Sequence, residues 1–156
     1  MTPLMRPPTL DDVEFIANHM RKADVEECAA SGFTPLGALL QSIDLSIVCK
    51  CAIAPDTGQP GFVMGVCPST LGPSWGAIWL LGTDDIKRHR VLFLRHSREV
   101  LASLYEETGK EVFYNYTFIE NSVHHEWLRW LGFKFLRKVS LPPHGQQFIE
   151  FVKLKG

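Results

Sequence analysis

The stretch of residues 120–133 constrains the fold of this chain more than any other part of the sequence. It begins with a polar turn and continues as an amphipathic segment, in which Trp127 and Trp130 occupy neighbouring positions on one helix side. Gly132 is typical of the residue that stops a helix, and Phe133 begins a new apolar run. The stretch therefore predicts the end of a strand, a short turn, an amphipathic helix and the start of the next strand.

The spacing of hydrophobic residues divides the rest of the sequence into helices and strands. Helical spacing predicts helices at residues 10–20, 24–30, 35–43 and 86–107. Apolar and β-branched runs between turn residues predict strands at residues 5–9, 45–53, 60–66, 75–81, 111–119, 133–139 and 147–153. This order predicts an α+β (mixed α/β) fold with helices packed on a sheet. No repeat or linker interrupts the sequence, so residues 1–156 are predicted to form one domain.

The composition is that of a globular protein, with 46% hydrophobic residues, 21% charged residues and a net charge of -1. Because the net charge is near zero, we expect no general attraction to nucleic acid. No apolar run reaches the roughly 18–20 residues of a membrane span. The first residues lack a basic region followed by an apolar stretch, so a secreted protein is not expected.

The four cysteines show no zinc-binding spacing. Cys49 and Cys51 share one face of a predicted strand, but no second pair accompanies them. Free cysteine commonly packs as a small hydrophobic residue. We therefore expect free thiols, no metal, and a reducing compartment such as the cytoplasm.

The order of elements, together with Asn121 and the Gly132-Phe133 pair after the helix, resembles the Gcn5-related N-acetyltransferase (GNAT) fold. The resemblance covers nearly the whole chain. It implies a central, mostly antiparallel sheet of about six to seven strands, which separates after Gly82, with helices on both faces. It also implies acetyl-CoA as the cofactor.

A narrower set of residues resembles the internal virion protein A family of short-tailed phages, a GNAT-like branch. This resemblance rests on residues 79–84, 93–95, 115–116, 121, 127–133 and 145–151. It implies a phage virion protein or a host protein as partner. It also implies a location in the cytoplasm of the infected host or in the virion, and it leaves the oligomeric state open.

The phosphate-binding loop of active GNAT enzymes is glycine-rich, whereas the corresponding residues 83–92 contain no glycine. They contain Lys87, Arg88 and Arg90, whose charges could replace backbone N–H groups in binding an anion. A solvated basic face is the alternative. Cations at a helix N-terminus oppose the helix dipole, which favours anion binding over simple surface decoration.

The resemblance implies further cofactor contacts at two places. Leu80, Leu81 and Gly82, at the end of a predicted strand, correspond to the residues that hydrogen-bond pantetheine. Asn121 corresponds to a residue that orients the cofactor.

The catalytic residues are less well defined than the cofactor site. Leu128 occupies the position of the family's general-acid tyrosine, and it has no proton to donate. Tyr114 or Tyr116 could substitute for it, although a strand tyrosine more often serves in packing. Asp24, Glu26 and Glu27 are candidate general bases, and a solvated acidic helix face is the alternative.

His124 and His125 are adjacent, so on a helix they point in different directions and cannot chelate one metal ion well. We expect them on the surface or in contact with a partner.

Three functions remain open. The first is a GNAT-fold phage protein with a degenerate acetyl-CoA site that acts in virion assembly or infection. The second is an active acetyl-CoA-dependent N-acyltransferase that modifies a host protein, a phage protein or a small amine. The third is a takeover factor that binds a host protein.

Overall fold

A computed structural model describes residues 4–156, and in this range the chain forms seven strands and six helices. The strands are β1 (Leu4–Arg6), β2 (Val48–Ile53), β3 (Pro60–Pro68), β4 (Trp75–Gly82), β5 (Val112–Phe118), β6 (Lys134–Leu141) and β7 (Gln146–Leu154). The helices are α1 (Leu10–Asn18), α2 (Lys22–Ala30), α3 (Pro35–Leu45), α4 (Asp85–Arg88), α5 (Arg90–Thr108) and α6 (Ser122–Leu131).

The seven strands form one sheet in the order β1-β2-β3-β4-β5-β7-β6. All neighbouring strands are antiparallel except β4 and β5, which are parallel. The predicted α+β fold with a mostly antiparallel central sheet is confirmed.

The two parallel strands pair only over a short length. Their pairing runs from Trp75 opposite Val112 to Ala77 opposite Tyr114, although β4 continues to Gly82 and β5 to Phe118. The opening between them therefore begins inside β4, earlier than the position after Gly82 that the resemblance implies. The Asn115 side-chain amide spans the start of this opening and donates a hydrogen bond to the Ile78 carbonyl at 2.8 Å.

Helices cover both faces of the sheet because successive residues of each strand point in opposite directions. Phe62 and Met64 of β3 pack in a core with Phe93 of α5 and Leu128 of α6. Val63, between them in sequence, packs on the other face with residues of α1 and α3. The predicted arrangement of helices on both faces is confirmed.

The predicted long helix at residues 86–107 is wrong as a single element, because it is divided into α4 and α5 at His89. His89 has φ −112° and ψ 36°, outside the helical range. Its Nε2 atom lies 3.0 Å from the Asp56 carboxylate in the turn after β2. This contact comes from a distant part of the chain, which the local pattern does not show.

The helix predicted within residues 120–133 is confirmed as α6. The Asn121 side chain caps it by accepting a hydrogen bond from the His124 N–H at 3.2 Å. Gly132 ends it with φ 96°, a left-handed conformation that glycine adopts without a steric penalty. Phe133 then packs in the core beside Phe151 of β7.

Among residues 4–156, no helix combines the length and the apolar character that a membrane crossing requires.

Candidate active site

A cleft of about 810 Å³ lies between α5 and α6 and extends to the end of β4. Its apolar lining includes Phe62 of β3, Leu80 of β4, Phe93 of α5 and Trp127 of α6. A ligand in this cleft would therefore lie against the sheet, between the two helices.

Positive charge predominates in this cleft. Its charged lining residues are the cations Arg21, Lys87, Arg90 and Arg129 and the carboxylate Glu126. Arg90 and Glu126 lie 3.9 Å apart with side chains 69% and 70% exposed, so solvent weakens their attraction. The excess positive charge favours an anionic ligand, to which ammonium and guanidinium groups make charge-assisted hydrogen bonds.

The structure separates the three cations that the sequence places in an anion site. Lys87 and Arg90 line the cleft, whereas Arg88 does not. The Arg88 guanidinium lies 3.0 Å from the Asp85 carboxylate and 3.3 Å from the Asp56 carboxylate. Arg88 therefore already has two acidic partners outside the cleft.

The helix-dipole argument is wrong for two of these residues. Lys87 and Arg88 lie in the last turn of α4, where positive charge complements the dipole. Only Arg90, the first residue of α5, stands at a helix N-terminus. An anion site is therefore favoured by the shared cleft and not by the helix dipoles.

The residues at the end of β4 differ in their freedom to bind a ligand. The Gly82 N–H donates to the Asp24 carboxylate at 3.0 Å, and the Gly82 carbonyl accepts from the Arg21 N–H at 2.9 Å. The Leu81 side chain is buried in the core on the α1 face. The Thr83 N–H donates to the Gly61 carbonyl of β3. Peptide groups of successive strand residues point alternately to the two sides of the strand. The peptide groups of Leu80, like those of Gly82, therefore face the opening beside β5.

Asp24 is completely buried and joins three elements of the fold. Its carboxylate binds the Arg21 guanidinium at 2.9–3.1 Å and the Gly82 N–H, and it accepts from the Asn121 side-chain amide at 3.2 Å. These contacts connect α2 to the ends of β4 and α6. They give Asp24 a structural role in this arrangement.

Asn121 uses both ends of its side-chain amide inside the protein. Its oxygen caps α6, its nitrogen donates to Asp24, and only 1% of the residue is exposed. It therefore positions the first turn of α6 beside the cleft. A direct contact between Asn121 and a cofactor stays a prediction.

A second cavity, of about 270 Å³, lies among α2, α3 and the sheet. Its polar lining includes Glu27, Asn115 and Tyr116. Leu80 and His124 line this cavity and also the cleft between α5 and α6. The two cavities therefore meet the same two residues at the opening between β4 and β5.

Glu27 is held at this second cavity by β5. Its carboxylate accepts hydrogen bonds from the Thr117 hydroxyl at 3.1 Å and from the Phe118 N–H. It also lies 3.9 Å from Nδ1 of His124. Burial alone would raise the pKa of Glu27, but the His124 imidazole and these hydrogen bonds hold it below its ordinary value.

The expectation of exposed histidines is wrong, because His124 and His125 are 6% and 8% exposed. His124 Nδ1 lies 3.3 Å from the Thr117 hydroxyl. His125 Nε2 donates to the Phe118 carbonyl at 2.9 Å, and burial lowers the pKa of this imidazole. The adjacent rings point to different partners, as expected of neighbours on a helix, but both partners are inside the protein.

Two of the positions considered for a general acid have different surroundings. Leu128 is 1% exposed and belongs to the core beneath α6. Tyr116 lines the second cavity, and burial together with the neighbouring Glu150 carboxylate raises its pKa. Of the catalytic candidates, Glu27 and Tyr116 therefore come together at this cavity. Asp24, Glu26 and Tyr114 do not line it.

Within the described residues, no group of three or more histidine, cysteine, aspartate or glutamate side chains is arranged to hold a metal ion. All four cysteines are free thiols.

Three residues of the site were not predicted from the sequence. Arg21 and Arg129 line the cleft, and His124 lies between the two cavities. A signal for His124 exists, because it lies one helical turn from Leu128 and shares the buried face of α6. Arg21 and Arg129 give no such signal, since an arginine beside a helix pattern is usually a surface residue.

No protein-family model matches the chain, and no curated protein matches it. Solved structures do match it over almost its whole length. A GNAT-family acetyltransferase from Bacillus anthracis aligns with a TM-score of 0.75 at 12% identity, covering 99% of this chain and 96% of that one.

Several of the similar structures contain ligands. A phosphinothricin acetyltransferase of the GNAT superfamily from Sinorhizobium meliloti, in complex with AcCoA, has a TM-score of 0.71 at 12% identity and covers 100% of this chain and 90% of that one. The aminoglycoside acetyltransferase AAC(6')-Ib, in complex with ribostamycin and coenzyme A, has a TM-score of 0.72 at 15% identity and covers 99% and 94%. The chain therefore has the fold of the GNAT acetyltransferases.

Proposed function

We propose that this chain is an acetyl-CoA-dependent N-acyltransferase. In this proposal the cleft between α5 and α6 takes acetyl-CoA, and the second cavity takes an amine acceptor. The observation that carries the proposal is that Leu80 and His124 line both cavities at the opening between β4 and β5. A thioester and an amine placed on the two sides of this opening would meet there, as direct transfer between two bound substrates requires.

The residues of the cleft suit the chemistry of acetyl-CoA. Lys87, Arg90 and Arg129 supply positive charge for phosphate groups, which replaces the glycine-rich loop that residues 83–92 lack. Phe93 and Trp127 supply apolar surface for the pantetheine arm. Bound acetyl-CoA would provide an activated acyl group, and the chain would position it and exclude water from it.

The similar structures support the same assignment. Several of them are complexes with AcCoA or with coenzyme A, and these cover almost the whole chain. At identities from 12% to 15% their acceptors cannot be carried over. The acceptor of this chain is therefore proposed only as an amine, on a protein or on a small molecule.

A second candidate function is a GNAT-fold protein of the phage internal virion type, with a degenerate acetyl-CoA site. Two observations favour it. Asp24 and Arg21 already occupy the Gly82 peptide groups, and Leu128 stands where the family has its tyrosine. In this proposal the chain acts through a phage virion protein or a host protein, in assembly, infection or host takeover.

Calorimetric titration of the protein with acetyl-CoA tests the proposal. The enzyme proposal expects saturable binding, followed by release of a free thiol when amines are added. Absence of binding at millimolar acetyl-CoA would overturn it. Saturable binding with no thiol release from any of a panel of amines and lysine peptides would favour the second candidate.

A further inference from the structure

Glu27, Thr117 and His124 form a contact chain between the two cavities. Glu27 belongs to α2, Thr117 to β5 and His124 to the first turn of α6, so three distant segments converge. The Thr117 hydroxyl lies 3.1 Å from a Glu27 carboxylate oxygen and 3.3 Å from His124 Nδ1. Thr117 is completely buried, and His124 is 6% exposed.

The direction of these hydrogen bonds fixes the proton on the His124 ring. The Thr117 hydroxyl has one proton, which it donates to the carboxylate of Glu27. Towards His124 the hydroxyl oxygen can then only accept, so Nδ1 must carry a hydrogen. In the neutral imidazole the other nitrogen, Nε2, therefore has a free electron pair.

The Nε2 atom of His124 is open to a ligand. Within residues 4–156 it has no hydrogen-bond partner. Every fully buried side-chain nitrogen and oxygen atom in that range has one, so Nε2 is not fully buried. Nε2 is therefore reached by solvent. Because His124 lines both cavities, Nε2 is reached from the proposed substrate sites.

We infer that Glu27 and Thr117 hold His124 as the proton acceptor and donor of acetyl transfer, an assignment that rests on the proposed function. The amine nitrogen forms a bond to the thioester carbon while its proton passes to Nε2. The carbon–sulfur bond then breaks, and the same proton passes from Nε2 to the leaving sulfur. The products are the amide and the free thiol, and His124 returns to its neutral form. Glu27 and Thr117 are positioning residues, because they act on the substrates only through the ring of His124.

The tautomer of His124 is the first test. Nitrogen-15 NMR of the neutral imidazole in the wild-type protein is expected to show hydrogen on Nδ1 and none on Nε2. Glu27→Ala is expected to give a mixture of the two tautomers, because it removes the carboxylate and leaves the Thr117 hydroxyl free to donate to Nδ1. Glu26→Ala is the matched control, since Glu26 is exposed and pairs only weakly with Lys22 at 3.9 Å. Hydrogen on Nε2 in the wild type would overturn the inference.

Modification of histidine by diethyl pyrocarbonate, located by mass spectrometry, is the second test. A neutral ring nitrogen that carries a free electron pair attacks a carbonyl carbon of this reagent and becomes ethoxycarbonylated. His124 is expected to react, and saturating acetyl-CoA is expected to slow the reaction at least fivefold. His144, exposed in the turn before β7, is the control that should react equally with and without acetyl-CoA.

The outcomes separate the inference from the proposed function. Binding of acetyl-CoA by calorimetry together with protection of His124 supports both. Binding without protection of His124 overturns the proton-transfer role and leaves acetyl-CoA binding intact. Absence of binding overturns the proposed function, and the role of His124 falls with it.

Discussion

The Asp24 carboxylate accepts a hydrogen bond from the Gly82 N–H at 3.0 Å and so ties helix α2 to the end of strand β4. The same carboxylate pairs with Arg21 at 2.9 Å and accepts from Asn121, and it is completely buried. One buried charge therefore joins the end of β4, the cap of α6 and the rim of the cleft.

Asp24→Asn is expected to destabilise the protein by roughly 3–5 kcal/mol, because it leaves the buried Arg21 guanidinium without a compensating charge. Urea unfolding followed by circular dichroism measures this difference. The exposed Glu26→Gln is the control and should change the free energy of unfolding by less than about 0.5 kcal/mol. A loss below about 1 kcal/mol for Asp24→Asn would show that the pair does not hold these elements together.

The cations of the cleft are expected to contribute unequally to acetyl-CoA binding. Lys87→Ala and Arg90→Ala should each weaken binding about tenfold, since a charge-assisted hydrogen bond is worth about 1.5–3 kcal/mol. Arg88→Ala is the matched control and should leave the Kd within about twofold, because Arg88 pairs with Asp56 and Asp85 outside the cleft. Calorimetry on the three variants measures the pattern. Equal losses for all three would indicate a diffuse charge effect and no defined anion site.

Glu27 is expected to contribute to the acid limb of the stability curve. Its pKa in the folded protein lies below its ordinary value of 4.5, because His124 and the hydrogen bonds of β5 outweigh the effect of burial. Its stabilisation is therefore present above pH 4.5 and is lost as the pH falls through the lower folded value. Urea unfolding from neutral to acidic pH should show a smaller loss for Glu27→Gln than for the wild type. Parallel curves for the two proteins would contradict this assignment.

The four thiols are expected to differ in reactivity. Burial raises the pKa of Cys28 and of Cys51 to about 12, so almost none of either is thiolate at neutral pH. Burial also raises the pKa of Cys49 and Cys67, but these two are only half-buried. Alkylation by iodoacetamide at pH 8 should label Cys49 and Cys67 first in the native protein, and all four in denaturant. Early labelling of Cys28 or Cys51 would show that the core on the α1 face opens more readily than its packing implies.

Local signals predicted most of the fold and part of the site. The helix stop at Gly132 and the helix α6 follow from a few adjacent residues, and the structure has both. The break between α4 and α5 depends on the contact between His89 and Asp56. The early opening of the sheet depends on the contact between Asn115 and Ile78. The two residues of each contact are far apart in sequence. Periodicity does not record such contacts.

Contacts between distant segments also explain why the sequence predicts only part of the site. Glu27 was a candidate because a carboxylate is a common general base, but its partner His124 lies on another helix and was expected on the surface. Only the packing of α2 and α6 against β5 brings the two together. The sequence does not indicate Arg21 for a similar reason, because its burial depends on Asp24 and on the end of β4.

Acetyl-CoA is proposed to bind between α5 and α6 with its acyl end at the opening of the sheet. Backbone NMR shift mapping during a titration with acetyl-CoA tests this proposal most directly. The largest shifts are expected to cluster at Leu80, Arg90 and His124. An absence of shifts at millimolar acetyl-CoA would contradict it. So would a cluster confined to the separate cavity beside Arg98, Tyr105 and Lys155, at the other end of α5.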